Sequence, residues 1–394
     1  MAQFDNKLIA FYLPQFHPIK ENNEWWGEGF TEWTNVSRAK PIYPGHYQPH
    51  LPADLGFCDL RVPEVRSAQA AMAEEYGIHG FCYYHYWFNG RRILERPFDE
   101  MLSSGKPDFP FCLCWANENW TRTWDGGDHH TLLEQNYSAE DDYDHIRWLL
   151  PALADKRYIR HQDKPLLLIY RAERLPNIKK TLEIWRDEAL LQGIGELYIA
   201  CVENFVSGED PRNWGFDGAV EFAPDWQQIG EDYCESPLVR AAIHAGMLPK
   251  ALLGQHLYSY DQLAKNMVAK PLPDYPLFRG VSLGWDNSAR KRQGARLFVG
   301  STPDKYEQWL ASVVAQSQQS SRLKDAPIFI NAWNEWAEGT HLEPDQRWGR
   351  GYLEATQNAL QVSDKKRDFL DGKPPVWVAD RYIKYLYDRF IGWR

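Results

Sequence analysis

The chain has 394 residues, 44% hydrophobic and 25% charged, with a net charge of −10 from 54 acidic and 44 basic residues. That balance excludes a disordered or collagen-like chain, and the acidic excess argues against a long phosphate-backbone footprint, so no nucleic-acid partner is expected. No run approaches ~18 apolar residues, so no membrane-spanning helix is expected.

In chain order, eight short apolar, β-rich runs stand out: 8–16, 78–88, 109–117, 164–170, 197–203, 218–224, 277–285 and 327–336. Most are near-continuously apolar, as strands covered on both faces of a parallel sheet are. Helical patterns lie between them. Residues 63–77 carry apolar positions at helical spacing and stop at Gly77, a C-cap type. Residues 138–155 open on Ser138 and three acids in the first turn, which suit a helix N-terminus. Residues 181–192 and 302–318 also read as helices. Strands alternating with helices predict an α/β fold, a (β/α)8 TIM barrel, with a doubly wound sheet as the rival architecture. No repeat or linker divides the chain, so 1–394 is expected as a single catalytic domain. Its aromatic, amphipathic stretch 377–394 is expected as a C-terminal helix packed on the barrel, with a membrane-surface helix as the rival.

The connections 17–62, 118–137 and 225–276 are long and rich in Trp, Tyr, His, Asn and Pro. In a barrel they leave from the C-terminal face, where active sites are built. The opening MAQFDNKLIAFYLPQF lacks a basic stretch, a long apolar core and a small-residue cleavage site, so a cytoplasmic location is expected. Cys58, Cys82, Cys112, Cys114, Cys201 and Cys234 form no pair of CxxC motifs and are expected as buried free thiols.

The strongest local signal ends strand eight: Asn331-Ala-Trp-Asn-Glu335-Trp-Ala-Glu338-Gly-Thr-His341-Leu-Glu343-Pro. Two carboxylates three residues apart share a face if the chain turns helically there. Glycoside hydrolysis needs such a pair, one protonated and one ionised. Other strand ends gather groups that grip hydroxyls or stack on sugar faces: Tyr84, His85 and Trp87; Asn117, Glu118, Trp120 and Arg122; Tyr170 and Arg171; Glu203; Glu221; Trp285; Asn334. For His85 and Tyr170 the competing reading is a satisfied core polar group. For Glu203 and Glu221 it is a structural ion pair with Arg171 or Arg279. The loop after strand one adds Trp26 and Trp33, read as walls of a sugar site. His46 and His50 lack HxH or HExxH spacing, so no metal is expected. Dinucleotide, phosphate-loop and nucleophile-elbow motifs are absent, and no cofactor is expected.

The segments FYLPQFHPIKENNEWWGEGFTEWTNV, GFCYYHYWFNGRR, CWANENWTRTWDG and AWNEWAEGTHLEPD resemble the WbsX family of polysaccharide-locus proteins, over nearly the whole chain. That family is related to glycoside hydrolase family 99, the endo-acting α-mannosidases and mannanases. The resemblance implies a barrel without metal and, carried over by position, Glu335 as base on a sugar 2-hydroxyl and Glu338 as acid/base. The reaction implied is hydrolysis with retention through a 1,2-anhydro sugar. Within the motif, Ala337 stands where family 99 has His, and His341 where it has Gln. The leading expectation is a retaining, endo-acting glycoside hydrolase on a bacterial surface polysaccharide or related glycan. The rivals are a glycosyltransferase or transglycosylase of O-antigen or capsule assembly, and a non-catalytic carbohydrate-binding barrel.

Overall fold

The computed structural model describes residues 6–122, 127–204, 207–323 and 325–361, with side chains undescribed at 122 and 127–130. The expected helix at 377–394 lies outside these residues.

The barrel strands are Leu8–Tyr12, Ile78–His85, Phe111–Trp115, Lys164–Ile169, Tyr198–Glu203, Gly218–Glu221, Leu277–Phe278 continued after Arg279 as Gly280–Ser282, and Ile328–Asn331. All pair in parallel. Leu277–Phe278 pairs with strand six, and Gly280–Ser282 pairs with strand eight, which in turn pairs with strand one. The path therefore closes on itself through the broken seventh strand. This is the expected (β/α)8 barrel, and closure excludes the doubly wound rival. Every one of the eight expected runs holds one of the eight barrel strands, the seventh in two pieces.

The helices that wrap the barrel follow their sequence signals. Pro63–Glu75 has Pro at its first turn and is followed by Gly77 at φ 84°. Ala139–Leu153 is capped by Ser138, whose side chain accepts from the Asp141 N–H. Ile178–Leu191 starts three residues earlier than expected, because Asn177 supplies the cap. Pro303–Gln319 is capped by Thr302 and buries Tyr306, Trp309, Leu310, Val313 and Val314. That i, i+3, i+4, i+7, i+8 stripe faces the barrel wall, and each such side chain contributes roughly 1.5–3 kcal/mol.

The sheet has two apolar faces. Phe11, Tyr84, Phe222 and Phe329 pack ring to ring inside the barrel. Tyr12, Phe81 and Tyr83 pack outside it under the helices. All six cysteines are free and buried. The described residues of the three long connections form regular elements. They hold helices Lys20–Trp26 and Glu32–Arg38, the antiparallel pair Trp120–Arg122 with Gly127–Leu133, and the strand His256–Ser259 leading into helix Tyr260–Ala269. No helix among the described residues is long and apolar enough to cross a membrane.

Candidate active site

Strand eight does not simply end. Asn334–Glu335 turns back on Thr340–His341 as a two-residue antiparallel hairpin, closed by the single turn Trp336–Glu338. Gly339 makes this turn possible. Its φ is 63°, and an added Cβ would sit 3.0 Å from the Asp286 Cβ and 3.2 Å from its N. The hairpin is clamped on both sides. The Asn334 amide accepts from the Leu13 N–H at 2.7 Å and donates to the Leu13 carbonyl at 2.9 Å. Glu343 accepts from Trp333 Nε1 at 3.1 Å, from Trp336 Nε1 at 2.5 Å and from Gln69 Nε2 at 2.6 Å. Burial pushes the Glu343 carboxyl up to about 7.

The clamped hairpin presents Glu335 and Glu338 to one guanidinium. Arg290 follows the short turn Asn287–Ala289, which Asp286 caps by accepting from the Ser288 N–H at 2.9 Å. Arg290 Nη2 donates to Glu335 at 2.9 Å, Nη1 donates to Glu338, and Nε donates to Glu32 at 3.0 Å. Glu32 opens helix Glu32–Arg38 and is fully buried. Three carboxylates thus share one cation. Burial raises all three. Glu338 is pushed to about 8, since Arg290 offsets only part of the burial and the charges of Glu335 and Glu32 add to it. Glu32 is pushed to about 7 by burial, opposed by Arg290 and assisted by Glu335. Glu335 is raised by burial and held back by Arg290. A single positive charge cannot balance three negative ones in a buried site, so a proton stays on the cluster near neutral pH. It sits most readily on Glu338, leaving Glu335 to pair with Arg290.

Tyrosines close the mouth. Tyr84 stacks on Phe11 at 5.5 Å and meets Tyr170 edge-on at 5.9 Å. Burial first, then the Glu335 charge among others, raises the Tyr84 and Tyr86 hydroxyls. Burial, then Glu118 and Glu338, raises Tyr170, whose hydroxyl accepts from Asn204. Tyr86 meets Trp120 edge-on at 5.5 Å, and Trp120 leans on Trp25 at 5.6 Å, while Trp26 packs against Phe30. Of the expected residues, the structure brings together Glu335, Glu338, Tyr84, Tyr170 and Trp120. Glu32, Tyr86 and Arg290 join them without having been singled out.

Other expected ligand contacts are corrected by the structure. His85 and Trp87 lie on the outward phase of strand two and its extension. His85 faces His145 Nε2 at 2.9 Å and stacks on Trp148, and Trp87 Nε1 donates to Asp141 at 2.8 Å. Trp33 donates to the Cys58 carbonyl at 2.8 Å and packs on Phe16 and Trp336. Asn117 is wholly buried and latches the Arg171 backbone through two bonds of 2.8 Å, while Arg171 pairs with Glu118 and Glu173. Glu221 takes the structural ion-pair alternative, with Arg279 at 2.8 Å. Glu203 accepts from Tyr275, with Lys270 at 3.8 Å. Asn334 is spent on the Leu13 backbone. Trp285 packs edge-on to Trp226 on the far side of the hairpin. The Arg122 side chain lies outside the described residues.

The sequence matches the family described as Glycosyltransferase WbsX over residues 8–356. The chain belongs to that family. It is 45% identical over 353 residues to the uncharacterized protein WxcX of Xanthomonas campestris pv. campestris strain ATCC 33913, and equally so to WxcX of strain B100. The match covers 90% of this chain and 49% of the relative, so the chain spans about half the length of the curated relatives it matches. Among solved structures, it resembles a glycoside hydrolase-like protein at TM-score 0.57 and 13% identity, covering 92% of this chain and 96% of that one. It also resembles the GH99 endo-alpha-mannosidase from Bacteroides thetaiotaomicron at TM-score 0.54 and 15% identity, covering 97% and 99% of the two chains. At such identity the likeness establishes the shared barrel fold.

Proposed function

We propose that this WbsX-family chain is a glycan-active enzyme, a retaining and endo-acting glycoside hydrolase working on a bacterial surface polysaccharide or related glycan. The observation that carries the reading is the pair Glu335 and Glu338 on one guanidinium, with the proton favoured on Glu338. An acid and a base side by side at the C-terminal mouth of a barrel are what acetal cleavage needs. The fold shared with an endo-alpha-mannosidase supports it.

In this reading the ionised Glu335 takes the proton of a sugar 2-hydroxyl. The 2-oxygen attacks the anomeric carbon, and the bond to the leaving oxygen breaks. Glu338 gives that oxygen its proton. The resulting 1,2-anhydro sugar is opened by water, whose proton passes to Glu338, while Glu335 returns its proton to the 2-oxygen. Two inversions give net retention. Tyr84, Tyr86, Tyr170 and Trp120 offer hydroxyls and ring faces to the sugar.

The second reading, a glycosyltransferase or transglycosylase, is favoured by the family's own description. One experiment separates them. Purified protein is incubated with α-linked mannans and bacterial surface polysaccharides, with and without nucleotide sugars, and products are read by mass spectrometry against Glu338→Gln. Shortened oligosaccharides from the wild type alone support the hydrolase. Extension that requires a nucleotide sugar overturns it.

A further inference from the structure

Behind the glutamate hairpin lies a separate cavity of about 410 Å³, lined by His46, Tyr47, His50, His341, Asp345 and Trp285 among others. The hairpin's turn divides it from the carboxylate cluster, since the Asp286 N–H donates to the Glu338 carbonyl at 2.7 Å there. Among the described residues, His50, His341 and Asp345 bring three potential ligand atoms within 4.8 Å of one another in this cavity's wall.

The hydrogen bonds around the three fix their lone pairs. His341 Nδ1 lies 2.9 Å from the Glu343 carbonyl oxygen, which can only accept. Nδ1 therefore carries the hydrogen and Nε2 a bare lone pair. A carbonyl that accepts from the far ring nitrogen orients metal-binding histidines in this same way. That Nε2 faces His50 Nδ1 at 2.9 Å and Asp345 Oδ2 at 3.8 Å. Asp345 Oδ1 is already used by the Arg347 and Trp348 N–H groups, at 2.8 and 2.6 Å. The carboxylate is thereby aimed, with Oδ2 turned to the histidines. Tyr47 stacks on His50 at 4.3 Å and holds its ring in place. His46 is not part of the group. Its Nδ1 accepts from the Ile42 N–H, which leaves Nε2–H for Asp286 at 2.7 Å.

We propose that His50, His341 and Asp345 form a site for a divalent transition metal, of which Zn²⁺ is the best match. Without metal, two facing imidazoles share a single N–H···N bond. A metal replaces that one proton by bonds to both nitrogens and to the waiting carboxylate. Tetrahedral Zn²⁺ with bonds of about 2.0–2.1 Å sets its ligand atoms about 3.3 Å apart, so the two pairs made by His341 move by about 0.5 Å, and the His50–Asp345 pair, within 4.8 Å, closes by up to about 1.5 Å. The cavity leaves room for water as a fourth ligand. Two imidazoles and one carboxylate select zinc and its neighbours over magnesium or calcium.

The role is a clamp, not a participant in catalysis. His341 pairs in register with Asn334, the neighbour of Glu335, and its ring stacks on Trp336 at 3.7 Å and 11°. His50 ends the loop that carries His46 and Gln48 onto Asp286. Metal binding would tie that loop to the hairpin. His341 and Asp345 are four residues apart, but His50 comes from 291 positions away, so no local spacing announces the set.

The test uses the full chain, stripped with a chelator and titrated with Zn²⁺ by calorimetry, with Co²⁺ as a spectroscopic probe. The expected result is one equivalent bound, visible bands of tetrahedral Co²⁺, and a melting temperature raised by several degrees. His50→Gln and Asp345→Asn should each weaken binding at least tenfold while melting like wild type in chelator. His256→Gln, which removes a surface His–Asp pair, should leave binding unchanged. Absence of stoichiometric Zn²⁺ binding, or undiminished binding in both His50→Gln and Asp345→Asn, would overturn the proposal.

Discussion

Replacing Gly339 with alanine puts the hairpin geometry to a direct test. The residue sits at φ 63°, where an L side chain costs roughly 1–2 kcal/mol. Its Cβ would also meet the Asp286 Cβ at 3.0 Å, its N at 3.2 Å and its O at 3.3 Å. Two of these three are backbone atoms, so the clash moves main chain, and relief of such overpacking costs about 1–3 kcal/mol. Gly349 supplies the control. It has φ 52° and nothing within 4 Å of a built Cβ, so Gly349→Ala carries only the dihedral cost. At roughly 1.2 °C per kcal/mol for a chain of this size, Gly339→Ala should melt about 1–4 °C below Gly349→Ala. Turnover should separate them further. Glu338 precedes Gly339, and a displacement approaching 1 Å at a reacting group can cost about 100-fold. Differential scanning calorimetry and product release on the glycan found by screening read both effects. If Gly339→Ala melts no lower than Gly349→Ala and keeps most of its turnover, the claim that this turn positions Glu338 is wrong.

Four further outcomes follow from the buried carboxylates. The rate should fall on the alkaline side near pH 8, as Glu338 loses its proton, and on the acid side above the ordinary glutamate range, where Glu335 gains one. An acid limb left at the usual carboxylate pKa would count against Glu335 as base. Glu32→Gln removes a negative charge that holds the proton on Glu338, so the alkaline limb should shift to lower pH. An unmoved or upward-shifted limb would refute that coupling. Arg290→Met leaves three buried carboxylates without their cation, and should destabilise by roughly 3–5 kcal/mol, measured by urea unfolding at pH 8. Unfolding midpoints equal to wild type would show that the arginine does not balance the cluster. Stability itself should drop with pH. Glu32, Glu338 and Glu343 hold protons in the native state that the unfolded chain releases above about 4.5, so stability present at pH 4.5 is lost as pH climbs through 7 to 8. A melting temperature flat from pH 5 to 8.5 would contradict those burials.

The barrel was legible because both strand faces are covered, and continuous apolar runs of strand length separated by capped helices leave few other architectures. Glu335 and Glu338 were legible because their pairing is local. The sugar-contact set was less so, and strand two shows why. Successive side chains point to opposite faces, so Tyr84 and Tyr86 cannot share the mouth with His85 and Trp87. Attention to that phase would have kept the tyrosines and set His85 and Trp87 under the helix Ala139–Leu153. Arg290 and Glu32 carry no local signal. They meet across 258 positions, and only the demand of two buried carboxylates for a counter-ion could have prompted a search for a cation. Glu221 was ambiguous for the same reason, since its answer lay at Arg279, 58 residues away.

The Asn334 amide grips the backbone of Leu13 across 321 residues, and strand one closes against strand eight beside it. The carboxylate cluster therefore straddles the seam between the first and the last strand, with Glu32 following strand one and both hairpin glutamates following strand eight. Translation must therefore pass the hairpin at Asn334–His341 before this carboxylate cluster can assemble. On the proposed reading, products truncated before the hairpin would lack Glu335 and Glu338 and be inert, so turnover per molecule doubles as a readout of completed folding. The same layout makes the chain a natural split reporter: of two fragments cut between strands four and five, one would hold Glu32 and the other Arg290, Glu335 and Glu338, and on the proposed reading activity would return only when they reassemble.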